Sequence, residues 1–353
     1  MKKKILYFAN FPTKHRRSVG GMATLAKSVY DFLKTHLPEN FSIEHQQIRK
    51  IWKPKWQLID YFFWLIKFPF LIRKYDLIHI FMTRDMERTI GPLLVWYSKL
   101  LHKKVIVQFG GGLLLYPRFI KPYQYFYRKW IFEKSDFLIY ETKALTVEAS
   151  KFTDKDKVIW LPNSRFPSQL PVDLSKPFTK TFAYISRIVP LKGIDEIISA
   201  SEELPDDYKI VAYGFIDKRY YNTNPFAGTR IEYKGELSPE EVASVLQNID
   251  VILIPTYHEG EGYPGIIIEA FSQGVPVIST KWKAIPEIVK DRHNGRLVEP
   301  RNAKELKEAI LSFNKDNYPI YRKNAYNDFN LYFNANKVYM KIINAYISCF
   351  SKK

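Results

Sequence analysis

Short apolar runs alternate with longer stretches of helical periodicity along the whole chain. KKILYFAN comes first, and MATLAKSVYDFLKTHL follows it with apolar residues recurring every three or four positions. LIHIF, KVIVQF and DFLIYE are further buried-strand candidates in the first half, and TFAYIS, KIVAYG, IEYKG, VILIPT and PVIST continue the pattern in the second. Strands that alternate with helices are typical of parallel α/β sheets. The pattern predicts one such sheet in each half of the chain.

A proline-rich segment without periodicity, PNSRFPSQLPVDLSKPFTK, separates the two halves. At 353 residues the chain exceeds the usual size of one hydrophobic core, which favours two domains. We predict a first domain over residues 1–165 and a second over residues 166–331. The tail at 332–353 contains the helical pattern NANKVYMKIINAYISCF and is expected to pack back onto the first domain.

The cysteine content and the first residues of the chain indicate the cellular compartment. A single cysteine, Cys349, excludes a disulfide framework and fits the reducing cytosol. The opening MKKKILYFANF imitates a signal peptide, but no small-residue cleavage site follows, and ILYFAN is equally suited to a first β-strand. We therefore predict a strand there and a cytoplasmic protein.

The positive charge is concentrated in the first half. Residues 1–165 hold 30 Lys and Arg against 13 Asp and Glu, a balance of +17, whereas residues 166–353 hold 24 against 23, a balance of +1. Such asymmetry indicates a face that meets an anionic partner, either nucleic acid or a membrane surface, unless it is only a solvated basic surface.

A dinucleotide-binding loop is not evident in either half. The first strand leads into NFPTKHRRSVGG, which is longer than the tight G-x-G-x-x-G turn, and Gly110-Gly111-Gly112 lacks the required spacing. A nicotinamide-dependent enzyme is therefore disfavoured.

The stretch HEGEGYPGIIIEAFSQG suggests a different ligand. Pro264 suits the first position of a helix, and Gly265 allows a ligand to approach the backbone closely. The exposed N–H groups at a helix start favour phosphate, whereas Glu269, one turn further, could accept hydrogen bonds from a ribose diol. Glu261, in the loop before the helix, could bind a second polyol. By itself the glutamate pair is weak evidence, but sugar, phosphate and ribose together describe a nucleotide sugar.

The surroundings of these glutamates resemble glycosyltransferase family 4. EGYPGIIIEAFSQGVPVIST is similar to the E-G-[FY]-x-[GS] and E-A-x-x-x-G-x-P-V blocks of that family, and FAYISRIVPLKGIDEIISA places Arg187 and Lys192 where the family binds the donor diphosphate. Two cations five residues apart can flank a diphosphate. LPNS, YKGEL, IPEIV and HNGRLVEP also match, so the similarity covers essentially the whole second domain.

The resemblance implies the following site residues. The candidates for a catalytic role are Glu261, Arg187 and Lys192. The candidates for donor binding in the second domain are Glu269, Gly265, Ile266, Pro264, Tyr263, Gly262 and, near the nucleotide base, Leu237. The first domain matches more loosely and contributes Gly20 and Gly21 beside the donor phosphates. Many relatives have a histidine after the KVIVQ-like strand, and Gln108 is expected to replace one of its hydrogen bonds.

Two aromatic and basic segments, 51–75 and 113–132, lie in the basic domain. Asp60, Lys67 and Pro69 interrupt the first, so neither segment provides the run of about twenty apolar residues that spans a bilayer. Aromatic residues mixed with Lys and Arg suit the surface of an anionic membrane. The alternative is a helix packed against the first sheet with these aromatics in the core.

The family resemblance implies a GT-B fold, an α/β architecture of two Rossmann-like parallel-sheet domains facing a cleft. It implies a retaining transferase that moves a hexose from a UDP- or GDP-sugar to a lipid-linked or saccharide acceptor, as in bacterial surface polysaccharide or glycolipid synthesis. The donor would occupy the second domain and the acceptor the first, without a metal, on the inner face of the plasma membrane. The alternatives are a sugar-nucleotide epimerase or phosphorylase of the same fold, or a basic nucleic-acid-binding protein. The last is disfavoured because the aromatics cluster in oily runs rather than along one groove.

Overall fold

The computed structural model describes residues 2–13, 21–48, 51, 54–110 and 122–351. The chain forms two compact units. The first comprises Met1–Pro162 and Asn336–Lys353, and the second comprises Asn163–Ala335. The chain passes from the first unit to the second after Pro162, three residues before the predicted boundary at 165. Asn163 and Arg165 therefore belong to the second unit.

The first unit is built on a six-stranded parallel sheet with the order β2-β1-β3-β4-β5-β6. Its strands are β1 (Lys3–Ala9), β2 (Phe41–Gln47), β3 (Leu77–Met82), β4 (Lys104–Phe109), β5 (Phe137–Tyr140) and β6 (Val158–Trp160). Its helices up to the crossover are α1 (Gly21–His36), α2 (Pro54–Leu71), α3 (Arg84–Glu87), α4 (Gly91–Leu100), α5 (Pro122–Lys134) and α6 (Lys143–Ala149). The β1 strand pairs with both β2 and β3, so the opening residues form a central strand of this sheet, as predicted.

The second unit contains another six-stranded parallel sheet, ordered β12-β11-β10-β7-β8-β9. Its strands are β7 (Thr181–Ile185), β8 (Lys209–Tyr213), β9 (Ile231–Tyr233), β10 (Val251–Ile254), β11 (Val277–Thr280) and β12 (Gly295–Val298). Its helices are α7 (Ile194–Glu202), α8 (Val242–Gln247), α9 (Gly265–Ser272), α10 (Ile285–Ile288), α11 (Ala303–Leu311) and α12 (Tyr318–Asp328), followed by a π-helical turn at Phe329–Phe333. The predicted pair of parallel-sheet domains is therefore confirmed.

The C-terminal helices α13 (Ala335–Val338) and α14 (Met340–Phe350) return the chain to the first unit. The Tyr346 hydroxyl of α14 is hydrogen-bonded to Nδ1 of His79 on β3 at 2.6 Å, and Tyr339 lies 3.3 Å from the Ser28 hydroxyl of α1. Burial lowers the pKa of His79 to about 3, so the imidazole is neutral in this core. The predicted return of the tail to the first domain is confirmed.

The proline-rich segment at 162–180 packs on the second unit. Asp250, at the start of β10, accepts hydrogen bonds from the backbone N–H groups of Thr179 (2.7 Å) and Thr181 (3.0 Å). Further along the segment, the Arg322 guanidinium of α12 donates to the backbone carbonyl of Asp173 with a separation of 2.5 Å. These bonds satisfy backbone groups of a segment that has no periodic pattern of its own.

Among the described residues, no helix is both long enough and apolar enough to span a bilayer.

Candidate functional site

The loop between β10 and α9 is organised around the carboxylate of Glu261. The Lys192 ammonium donates to Oε2 of Glu261, and the Thr256 hydroxyl lies 3.1 Å from the same oxygen. The two side chains of the ion pair are only 13% and 11% exposed. Because a carboxylate is costly to bury without partners, these contacts fix the position of Glu261. The structure thus joins two of the three residues for which the sequence indicates a catalytic role.

The backbone at Gly193 explains how Lys192 reaches this loop. A short 3₁₀ turn at Pro190–Lys192 ends at Gly193, which has a φ of +80°. A Cβ at this position would lie 2.4 Å from the carbonyl oxygen of Pro255, so a side chain would push the turn away from the end of β10. The glycine therefore allows the close contact that places Lys192 against Glu261.

The segment after β11 holds the other side of the loop. The Trp282 indole donates to the His258 carbonyl at 3.0 Å, and the Lys283 ammonium contacts the Glu259 carboxylate at 2.6 Å. The Tyr263 hydroxyl contacts Oε2 of Glu287 on α10 at 2.5 Å. With anchors on both sides, contacts within the protein hold the loop in place.

Arg187 follows β7 and differs from Lys192 in its surroundings. Its side chain is exposed and makes no hydrogen bond or ion pair with another residue in the described part of the chain. The Tyr184 hydroxyl donates to its backbone carbonyl at 2.8 Å, which fixes the main chain below the side chain. An unpaired guanidinium on a fixed backbone is suited to binding phosphate oxygens.

The pKa of His258 is affected by the charged side chains around the loop. Burial lowers the pKa of this histidine, and the positive charges of Lys192, Arg187 and Lys283 lower it further, whereas Glu261 opposes them. Its Nδ1 accepts a hydrogen bond from the Gly260 N–H at 3.0 Å, an arrangement that requires this nitrogen to be unprotonated. Two of these cations are paired, Lys192 with Glu261 and Lys283 with Glu259, so the positive charge left over at the loop is that of Arg187, which favours an anionic ligand.

The start of α9 differs from the sequence prediction by one position. Pro264 has a ψ of 124°, which is extended rather than helical, so it precedes the helix as its N-cap residue, and Gly265 is the first helical residue. Pro264 and Tyr263 are buried, whereas Gly262, Gly265 and Ile266 are half-buried. An α-helix leaves its first N–H groups without intrahelical partners, and here these groups belong to residues that the ligand hypothesis requires.

Glu269 lies one turn inside α9 and is paired with an arginine. The Arg165 guanidinium donates from Nε to Oε1 of Glu269 at 2.6 Å, and its Nη1 donates to Oδ1 of Asn163 at 2.7 Å. The two side chains are about one-third exposed, at 32% for Arg165 and 30% for Glu269. The proposed ribose-binding carboxylate is therefore present at the site with a partner that the sequence pattern did not indicate.

The remaining predicted donor-binding residues are Leu237 in the second unit and Gly20, Gly21 and Gln108 in the first. Leu237 is half-buried in the segment after β9. Gly21 is exposed as the first residue of α1, where a Cβ would meet nothing within 4 Å, and Gly20 lies outside the described residues. Gln108 is 2% exposed on β4, inside the first unit, so its contact with the donor sugar stays a prediction.

Sequence analysis missed four residues of the cluster: Arg165, Thr256, His258 and Lys283. His258 belongs to the quoted glutamate block, and its position beside two candidate polar residues is a signal that was present. Arg165 was placed in the proline-rich segment, and Thr256 and Lys283 carry no distinguishing pattern. Their roles arise from contacts with residues that are distant along the chain.

The family of glycosyl transferases group 1 matches residues 170–329. Two uncharacterized glycosyltransferases of Methanocaldococcus jannaschii are similar to this chain. MJ1178 is 33% identical over 131 residues, which cover 36% of this chain and 36% of that protein. MJ1069 is 23% identical over 385 aligned residues, which cover 95% of this chain and 96% of that protein.

TuaC of Bacillus subtilis, named as a teichuronic acid biosynthesis glycosyltransferase, is 28% identical over 220 residues. That alignment covers 59% of this chain and 54% of TuaC, so this chain spans about half of TuaC and about a third of MJ1178. Among solved structures, HepE of Anabaena in complex with UDP has a TM-score of 0.71 at 15% identity, covering 98% of this chain and 100% of HepE. HepE has also been solved with UDP-glucose.

The two parallel sheets and the similarity to these solved structures define a GT-B fold, which confirms the predicted fold class. The family match and the curated relatives support a glycosyltransferase of the GT-B superfamily, and some of those relatives are named for polysaccharide biosynthesis.

Proposed function

We propose that this protein is a retaining glycosyltransferase of family 4 that transfers a hexose from a UDP- or GDP-sugar to a lipid-linked or saccharide acceptor. The observation that carries the proposal is the unpaired guanidinium of Arg187 beside the buried Lys192–Glu261 pair, close to a loop that leads into α9. Arg187, Lys192 and the N–H groups at the start of α9 are the candidates for the diphosphate, Glu269 is the candidate for the ribose, and Glu261 is the candidate for the sugar.

Transfer requires the bond between the anomeric carbon and the diphosphate to break while the acceptor oxygen forms a new bond to that carbon. Arg187, Lys192 and the N–H groups at the start of α9 can neutralise the charge that develops on the leaving diphosphate, which is the role that a metal ion fills in other enzymes. With attack on the same face, the acceptor proton passes to an oxygen of the departing phosphate. We therefore propose a reaction that needs no metal.

The relatives support the choice of substrates. The structural neighbour HepE binds UDP and UDP-glucose, which is consistent with a nucleotide-sugar donor for this chain. TuaC is named for teichuronic acid biosynthesis, which is consistent with a saccharide or lipid-linked saccharide acceptor. We place the protein in the cytoplasm, where nucleotide sugars are the activated donors.

The first test is a thermal-shift screen with UDP- and GDP-sugars, followed by product analysis. We expect one sugar nucleotide to raise the melting temperature, because a ligand that binds only the folded state stabilises it by mass action. The anomeric configuration of the product, determined by NMR, should match that of the donor, and EDTA should leave the rate unchanged.

Other results would redirect the proposal. Inversion at the anomeric carbon would exclude the retaining mechanism, and a rate lost to EDTA and restored by a divalent ion would exclude metal independence. Epimer formation from the sugar nucleotide alone would favour the epimerase, and sugar phosphate formed with inorganic phosphate would favour the phosphorylase.

An exposed apolar surface on the first unit supports a membrane-bound acceptor. The helix α2 is apolar around most of its circumference, and its outer side carries Trp56, Phe62, Phe63 and Phe70, which are 59–65% exposed. The inner side packs in the core, where Trp64 is 8% exposed and meets the Phe8 ring edge-on at 5.0 Å. One side of α2 therefore belongs to the hydrophobic core, and the opposite side is exposed to solvent.

The neighbouring helix extends this surface. α4 packs against both α2 and α5 and exposes Leu93, Trp96 and Leu100 at 43–56%. Basic side chains lie among these groups, with Lys67 over the Trp64 ring at 5.3 Å and Arg73 over the Phe70 ring at 5.1 Å. In the second predicted segment, residues 113–121 lie outside the described residues, while Ile131 and Phe132 of α5 are buried. We propose that α2 and α4 rest on an anionic membrane, with their aromatic side chains at the headgroup level.

Vesicles containing an anionic phospholipid provide the second test. We expect wild-type protein to sediment with them and the bound fraction to fall as salt rises, because each Lys or Arg near the surface contributes about 1 kcal/mol that salt screens. A part should survive high salt. Replacing Trp56, Phe62, Phe63 and Phe70 with serine should abolish that surviving part, since inserted apolar groups are not screened.

The control replaces Ile320 and Leu331, which are 61% and 63% exposed on the second unit, with serine. It should bind like wild type. If wild-type protein fails to bind anionic vesicles at low salt, the membrane proposal is wrong and a soluble saccharide becomes the favoured acceptor. Circular dichroism of each variant excludes loss of the fold as the cause.

A further inference from the structure

We propose that Arg165 is a positioning residue that holds Glu269 for the ribose of the donor, an inference that rests on the proposed nucleotide-sugar function. Arg165 belongs to the segment that links the two units along the chain, 104 residues before Glu269. Its role is to fix one oxygen of the carboxylate, so that the other faces the ligand in a defined orientation.

The contacts of Arg165 fix its own guanidinium first. Nη1 donates to Oδ1 of Asn163 at 2.7 Å and to the Ser164 carbonyl at 3.1 Å. Asn163 is held in turn, because its Nδ2 donates to the carbonyl of Tyr263 at 3.0 Å. The arginine is therefore tied to the loop that leads into α9, and its orientation does not depend on Glu269 alone.

The contact with Glu269 uses only part of the carboxylate. Nε of Arg165 donates to Oε1 at 2.6 Å, whereas Oε2 has no hydrogen-bond partner among the residues that the structure describes. An ionised carboxylate has about four lone-pair sites, so one arginine bond leaves enough acceptors for two hydroxyls. A fixed carboxylate loses less side-chain entropy when a ligand binds than a freely rotating one does, which favours affinity.

Gly265 is part of the same arrangement. A Cβ on this residue would lie 2.1 Å from Nη2 of Arg165 and 3.2 Å from its Cζ. The guanidinium thus lies against the first residue of α9, and a side chain at this position would have to displace it.

Arg165 could either position Glu269 for the ribose or compete with the ribose for Glu269, and nucleotide affinity distinguishes the two roles. If Arg165 merely occupied the ribose site, removing it would strengthen nucleotide binding. If it positions Glu269, removing it weakens binding, and the loss comes from the ribose hydroxyls. The two cases predict opposite signs for the same variant.

Titration calorimetry with UDP and with 2′-deoxy-UDP measures the contribution of one hydroxyl, and GDP with 2′-deoxy-GDP serves if the protein binds guanine. For wild type we expect the deoxy form to bind on the order of tenfold more weakly, as for a hydrogen bond to a charged group. In Arg165→Ala this ratio should fall to less than about threefold, while the affinity for the deoxy nucleotide changes little. In steady-state assays the donor KM should rise with kcat nearly unchanged, and Arg165→Lys should recover part of the ratio.

Two further variants complete the experiment. Arg296→Ala is the matched control, because Arg296 makes the same Nε-to-carboxylate contact with Asp291 at 3.0 Å elsewhere in the second unit, and it should keep the wild-type ratio. In Glu269→Gln the ratio of the affinities for the nucleotide and its 2′-deoxy form should also fall to less than about threefold, as in Arg165→Ala. Melting temperatures identify any variant that is unfolded, in which case Arg165→Gln replaces it.

The outcomes distinguish the inference from the function on which it rests. Tighter nucleotide binding by Arg165→Ala, or an unchanged hydroxyl ratio, would overturn the positioning role while leaving the nucleotide site intact. If wild-type protein binds neither nucleotide, or if Glu269→Gln keeps the full ratio, the donor assignment itself is wrong and the role of Arg165 falls with it.

Discussion

Replacing Arg187 with alanine is expected to lower turnover by on the order of a hundredfold or more while leaving the free energy of unfolding nearly unchanged. The size follows from the proposed mechanism, in which this positive charge stabilises the charge that develops on the leaving phosphate in the transition state. The small cost in stability follows from the structure, because the side chain is exposed and forms no bond with another described residue. Arg187 thus offers a test of catalysis with little interference from folding.

Steady-state kinetics and chemical denaturation of the same preparation measure both quantities. Lys304→Ala is the control, since Lys304 is an exposed cation on α11 of the same unit and has no assigned role. That variant should retain full turnover. A decrease of less than about threefold in Arg187→Ala would remove this residue from the catalytic set, whatever the fate of Lys192.

Replacing Lys192 with methionine should damage both turnover and stability. Turnover should again fall by on the order of a hundredfold or more, for the same electrostatic reason. In addition, Glu261 would keep its contact with Thr256 but lose its ion-pair partner at a position where both side chains are almost buried. Leaving one charge of a buried pair without its partner costs about 3 kcal/mol, and slightly less here because the pair retains some exposure.

The double variant Lys192→Met with Glu261→Gln distinguishes the two effects. Removing both charges should restore most of the unfolding free energy, because no unpaired carboxylate remains, whereas turnover should stay low. Urea denaturation of the wild type, both single variants and the double variant gives the coupling energy directly. Full recovery of turnover in the double variant would show that Lys192 serves only to neutralise Glu261 and does not act on the donor.

The apolar runs predict every inner strand of both sheets, but of the four edge strands in the described part of the chain they predict only β9. Central strands such as β1, β3 and β4 are buried on both faces, so their sequences are continuous apolar runs that are easily recognised. β2, with the sequence FSIEHQQ, lies at one edge and is largely half-buried, and β6 at the opposite edge has only three residues. Neither strand shows a pattern that distinguishes it from a loop, and both become strands by pairing with an inner neighbour.

For helix α2, the sequence predicts the helix but not which of its sides faces the sheet. Its residues are apolar almost all round, so periodicity cannot indicate which side faces the sheet. The sequence treats Trp56 and Trp64 alike, but packing against β1 places Trp64 in the core and leaves Trp56 in the exposed surface. The sequence interpretation of a core helix describes one side of α2, and the proposed membrane contact rests on the exposed aromatic residues of the other side.

The sequence by itself determined the two α/β domains and the return of the C-terminal helix, and its resemblance to a family supplied the candidate donor-site residues, because each depends on local patterns of a few to about twenty residues. Only the tertiary structure decided which side chains contact these candidates. Lys192 and Glu261 are 69 residues apart in sequence, and Arg165 and Glu269 are 104 apart, so no local pattern links them. Their pairing results from the order in which parallel strands assemble, since that order brings loops that are distant in sequence to the same place in the second unit.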